Sequence, residues 1–178
     1  IKILKELIKK FMNNQIDIYE FKTTLDSFNK RNNLWGFTGV KGQMFFNQLV
    51  KTNASDIKKL SKLIKKVIAE PKNLDDALSK IEYLDKFCTE IYKKSSDKDK
   101  RKVPNVKSIS YFLSYFWQLH NAKVWPIFYT SQVNAYITLG IYDEKSTQKE
   151  SYSNFFTVSE EVRKILSKHT KHNISNWD

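Results

Sequence analysis

The chain has 178 residues, 40% of them hydrophobic and 14% aromatic, enough for one domain with a sizeable core and too apolar for a disordered segment. Lysine and arginine number 31 against 19 acidic residues, a net charge of +12 that favours a polyanion, nucleic acid first and anionic membrane second. Apolar runs of only a few residues exclude a membrane span. The single cysteine, Cys88, excludes a disulfide framework and fits a reducing, cytoplasmic setting.

The opening Ile1 and the closing ISNWD suggest a piece excised from a longer protein. Arginine appears only at 31, 101 and 163, so the basic excess is almost all lysine. An AT-rich genome, with its Lys, Asn and Ile, supplies part of that excess without any functional demand.

In chain order, Ile1, Leu4, Ile8 and Phe11 share one face of a helix whose other faces carry lysine. Asp17 with Glu20 forms a capping box for a second helix bearing Phe21, Leu25 and Phe28. The stretch NNLWGFTGVKGQMFFNQL (32–49) then concentrates Gly36, Gly39 and Gly42, three of the four glycines, among large aromatics. Either it is a tight structural turn or it brings backbone close to a ligand. Its second half recovers helical character, with Met44, Phe45, Leu49 and Val50 expected in the core.

Ser55 can cap the next helix, whose stripe is Ile57, Leu60, Ile64, Val67 and Ile68 and which Pro71 stops. Asn73 with Asp76 opens a long helix through Ile91. The charged stretch KKSSDKDKRKVPNVK (93–107) reads as a flexible loop, or as a linker at 94–106 joining subdomains 1–93 and 107–178. SISYFLSYFWQLHN is a helix aromatic on most of its circumference and therefore buried on several sides. Pro126 makes 124–129 an extended connector or one short strand. A short helix from Ser131 ends before Gly140, residues 141–156 are polar, and Thr157 with Glu160 reads as the capping box of a last helix. The expected fold is mainly α: about seven helices in one domain covering 1–178.

Catalytic constellations are scarce. No Walker-type or dinucleotide-type glycine loop occurs. Asp56 and Glu70-Pro71-Lys72 have a loose nuclease-like spacing, but the helix between them sets the two acids roughly 20 Å apart. His169 and His172 lack a third ligand. The expectation is a non-enzyme with no cofactor and no metal.

The basic features carry the functional reading. Lys58, Lys59, Lys62, Lys65 and Lys66 cover one helix; a solvated face comes first, and an anionic membrane is disfavoured because the apolar stripe lacks Trp and Phe. Lys98, Lys100, Arg101, Lys102 and Lys107 suit a phosphate clamp. Around the glycine turn, Arg31, Asn32, Asn33, Trp35, Lys41 and Gln43 gather amides, a stacking ring and cations of the kind that read base edges. Plugging a helix junction is the favoured reading for Phe37, and Trp35 stays open between the two roles. Tyr115, Trp117 and Tyr129 are aromatics with polar tips that could line a pocket for a flipped base, although a core needs the same residues.

LWGFTGVKGQMFFNQLV and VPNVKSISYFLSYFWQLHNAKVWPIFYTS resemble the region ahead of the motor domain in McrB-type AAA+ ATPases of modification-dependent restriction systems. The resemblance covers well under half of the chain. It implies a target-recognition module that binds duplex DNA and works with other subunits or domains of a parent complex. The competing expectation is a helical protein-interaction scaffold whose lysines only solubilise it.

Overall fold

A computed structural model describes residues 1–32, 37 and 39–176. They form eight α-helices and no strand: α1 (Lys2–Met12), α2 (Ile18–Arg31), α3 (Phe45–Thr52), α4 (Ile57–Ile68), α5 (Leu74–Lys94), α6 (Ile109–His120), α7 (Thr130–Thr138) and α8 (Gln148–Thr170). A π-helical turn, Val40–Met44, leads into α3, and short 3₁₀ turns precede α4 and α6.

The fold is organised around α6. Every residue from Ile109 to Leu119 is buried, because α1, α4, α5, α8 and the π-turn all pack on it. One continuous hydrophobic cluster runs from Leu4 to Val158, drawing on residues both before and after the 94–106 stretch. Phe37, Phe45 and Phe46 meet Phe112 at ring-centroid distances of 5.7, 5.2 and 5.4 Å, and Trp117 meets Trp125 at 6.0 Å and Tyr152 at 5.4 Å. Such aromatic pairs add modestly to the area they bury.

The serines and the glutamine of α6 form one stripe, Ser110, Ser114 and Gln118, at helical spacing. Each is bonded to non-helical backbone or to a helix start. Ser110 Oγ donates to Gln148 O (3.2 Å), Ser114 Oγ accepts from the Phe128 N–H (2.8 Å), and Gln118 Nε2 donates to Asn176 O (2.7 Å). The stripe thus fixes the α8 start, the 125–129 connector and the C-terminal strap onto the core. That connector is extended backbone, not a strand.

Helix starts follow side-chain chemistry, with two corrections. Asp17 caps α2 and Asn73 caps α5, through bonds of 2.8 and 2.9 Å from the Glu20 and Asp76 N–H groups. The cap of α4 is Asp56, accepting from the Lys59 N–H, rather than Ser55. The last helix begins ten residues before Thr157, at the capping box of Thr147 and Glu150 (Glu150 N to Thr147 Oγ1, 3.1 Å), so Thr157 lies mid-helix.

Gly42 and Gly140 answer structural needs. A Cβ on Gly42 would lie 2.4 Å from the Phe37 carbonyl oxygen, which also accepts the Gln43 N–H at 2.9 Å. The backbone approach is therefore internal. The wide π-turn, closed by Met44 N to Gly39 O at 3.0 Å, rotates the register: Met44, expected inside, is exposed, and Gln43 is buried. Gly140 has φ +69° and closes α7, with Ile141 N bonded to Tyr136 O at 3.1 Å.

Candidate nucleic-acid interface

A groove of about 480 Å³ lies where four chain segments meet. The end of α3 contributes Lys51 and Thr52, the first turn of α4 contributes Lys59, the end of α5 contributes Glu90 and Lys94, and the 3₁₀ region contributes Asp99 and Lys102. Phe87, Ile91 and Val103 give it an apolar floor. All four lysines are exposed, and they face two carboxylates.

Local chemistry holds these ends in place. Thr52 Oγ1 donates to Gln48 O at 2.7 Å and Asn53 Nδ2 to Leu49 O at 2.8 Å, closing the last carbonyls of α3. Ser95 Oγ donates to Ile91 O at 2.8 Å at the end of α5. Lysines 51 and 94 sit in the last turns of their helices, where the negative dipole end favours a cation. Asp99 accepts from Lys102 Nζ (2.9 Å) and Ser96 Oγ (2.7 Å). The bond from Lys102, then that from Ser96, holds its carboxyl below the ordinary range, and Lys51 adds to the effect through its charge.

The stretch at 93–107 is folded rather than a loop without structure. It contains 3₁₀ turns at Lys100–Lys102 and Val106–Ser108, buries Val103 and Pro104, and is held by Gln48 Nε2 donating to Arg101 O (3.3 Å). Of the expected phosphate clamp, only Lys102 lines the groove. Lys100 is paired with Asp97 and lies 5.4 Å from the Tyr92 ring. Lys98, Arg101 and Lys107 are exposed outside it.

The described glycine-turn residues have different surroundings. Asn32 Nδ2 donates to Phe28 O (2.8 Å), closing its own helix, and Gln43 is 6% exposed, with Nε2 donating to Asn47 Oδ1 (3.1 Å). Lys41 Nζ stands 3.7 Å from the centre of the Tyr111 ring. Arg31 is exposed at the end of α2. Asn33 and Trp35 lie outside the described residues. Phe37 is core, 1% exposed.

Of the three aromatics with polar tips, Trp117 stands apart from the other two. Trp117 is fully buried and donates Nε1–H to Val67 O (2.9 Å), so it lines no cavity. Tyr115 donates to Asn29 Oδ1 at 2.8 Å, and burial pushes its hydroxyl pKa up. Tyr115 and the half-buried Tyr129 border a second cavity, of about 490 Å³, towards the other end of α6.

Sequence reading missed Lys51 and Lys94 as groove residues and put Lys59 first on a solvated face. Nothing in their spacing marks them, because only the packing of α3, α4 and α5 brings them together. Among the described residues no group of three or more His, Cys, Asp or Glu could hold a metal, and no helix is long and apolar enough to cross a membrane. No protein-family model, curated protein or solved structure matches the chain.

Proposed function

We propose that this domain binds nucleic acid, as a DNA-binding, target-recognition module of a bacterial restriction or defence ATPase, cytoplasmic and non-catalytic by itself. The supporting observation is the convergence of Lys51, Lys59, Lys94 and Lys102, from four segments, on one groove. A concave site lined by an excess of ammonium groups can follow a phosphodiester backbone and gain from counterion release. The link to McrB-type ATPases rests on the sequence resemblance alone. Its two segments supply the π-turn, α3 and α6, so the likeness lies mostly in core residues rather than in groove residues.

The test is fluorescence anisotropy of a labelled duplex titrated with protein across salt concentrations. The expected log–log slope is about −0.9 per phosphate contacted. Affinity that hardly changes between about 50 and 200 mM salt would remove the proposal.

A helical protein-interaction domain is the second reading. Ile137, Leu139 and Ile141, 46%, 69% and 44% exposed around the end of α7, favour it. It predicts no duplex binding at any salt concentration.

A further inference from the structure

The basic groove carries more than charge. Phe87 and Ile91 on its floor are half-buried, so part of each side chain stays accessible. They lie four positions apart on α5 and therefore share one face of that helix. An aromatic ring and an aliphatic side chain thus stand together in a groove bordered by four lysines.

A phosphodiester backbone accounts for the lysines and leaves that floor uncovered. A duplex presents phosphates, sugars and base edges, and keeps the faces of its bases inside the stack. Covering Phe87 and Ile91 takes a ligand with a flat apolar face beside its phosphates. A single strand offers one, because its unstacked bases can lie on an aromatic side chain while cations track the backbone.

Size and charge agree. At about 480 Å³ the groove falls within the range of small-molecule sites, about 300–1,000 Å³, a scale that suits one nucleotide better than the side of a double helix. Four lysines face two carboxylates, Glu90 and Asp99, which leaves a surplus of positive charge on the lining. Asp99 holds Lys102 at 2.9 Å and lies within the field of Lys51, so a phosphate arriving there competes with a carboxylate for both lysines.

We propose that the groove takes an unpaired nucleotide of a single strand, its base lying on Phe87 and Ile91 and its flanking phosphates on the lysines. This rests on the nucleic-acid reading above and narrows it: a single strand binds more tightly than a duplex of equal length.

The test compares labelled oligothymidylate of about 15 nucleotides with a duplex of equal length, by fluorescence anisotropy across salt concentrations. The single strand should bind at least about fivefold more tightly, the worth of one stacked base. Phe87→Leu keeps an apolar side chain and removes the ring. It should weaken the single strand about fivefold or more and leave the duplex unchanged. Should that variant fail to fold, an iodouracil-substituted strand cross-linked to the wild-type chain by ultraviolet light reads the same contact, and the modified peptide should contain Phe87.

Equal or tighter duplex binding overturns this inference and leaves the nucleic-acid reading standing. So does unchanged single-strand affinity in Phe87→Leu, or a cross-link confined to residues outside the groove. Polyglutamate that binds more tightly than the single strand overturns it in favour of an acidic peptide. Salt-insensitive binding of both strand and duplex removes the nucleic-acid reading and this inference with it.

Discussion

The ammonium nitrogen of Lys80 stands 2.9 Å from the carbonyl oxygen of Ala69, across the turn from α4 to α5. It also reaches Glu70 O at 3.3 Å and the Asp76 carboxylate at 3.1 Å. A lysine in the middle of an apolar helix face is thereby turned into the cap of the preceding helix, and its residue is only 9% exposed.

Lys80→Met keeps the stem and removes the charge, leaving the carbonyls of Ala69 and Glu70 without this donor. We expect about 2 kcal/mol of destabilisation, read as a lower urea midpoint at unchanged slope. Burial acts to raise the Asp76 pKa, but the Lys72 N–H and Lys80 outweigh it and hold the carboxyl low. A depressed carboxyl stabilises the fold above its unfolded pKa, about 3.9, and that contribution is lost as pH falls through the folded value. Asp76→Asn should therefore flatten the acid limb of the stability curve.

His120 gives a second pH dependence, nearer neutrality. Its Nε2 lies 3.1 Å from Ile68 O, and burial depresses its pKa against the opposing effects of that bond and of Glu70, while Lys5 and Lys80 add to the depression. The unfolded chain then binds more protons below about pH 6.5, so stability present above that pH is lost as pH falls through the folded pKa. Urea midpoints should fall between about pH 7 and pH 5, and His120→Gln should remove most of that fall.

Gly42→Ala places a methyl 2.4 Å from the Phe37 carbonyl oxygen, a backbone atom that cannot swing aside. The π-turn must open, at about 1–3 kcal/mol by the usual cost of overpacking. Thermal unfolding followed by far-ultraviolet circular dichroism measures it. A melting temperature equal to that of the wild type would refute the close approach.

Replacing Lys51, Lys94 and Lys102 with Gln should reduce duplex affinity and lower the salt slope by about 1 per lost phosphate contact. Replacing Lys9, Lys10 and Lys86, which lie outside the groove, removes the same charge and should change much less. Equal losses in the two triples would point to a diffuse field instead of a site.

Tyr115→Phe deletes the hydroxyl that donates to Asn29 Oδ1. Asn29 is 1% exposed and its Nδ2 has no other partner, so its side-chain amide is left wholly unsatisfied. A loss of about 1–3 kcal/mol is expected in chemical denaturation.

The helical architecture was legible because apolar spacing and capping residues act locally. Asp17 and Asn73 cap the helices their positions suggest, and the aromatic run 109–119 is buried all round. The start of α8 was misread because its first turns bury Gln148 and Ser151, polar side chains that find partners in Ser110 and Lys145. Residues 141–156 read only as polar, with no helix assigned to them, and the Thr157–Glu160 pair imitated a cap. At the groove, Lys102 was legible from its basic neighbourhood. Lys51 and Lys94 were not, since they lie 43 positions apart in the chain and only helix packing unites them. Charge counting also cannot see that Lys100 pairs with Asp97 and Lys102 with Asp99.

Burial of α6 on all sides has a consequence during synthesis. Part of its cover is α8, through Tyr152 against Trp117, and translation delivers that cover last. At about 5–20 residues per second, the greasy side of α6 waits for seconds on the ribosome before its lid arrives. A chain terminated prematurely near residue 145 would keep that side bare and should aggregate or recruit chaperones, however well its first five helices are made.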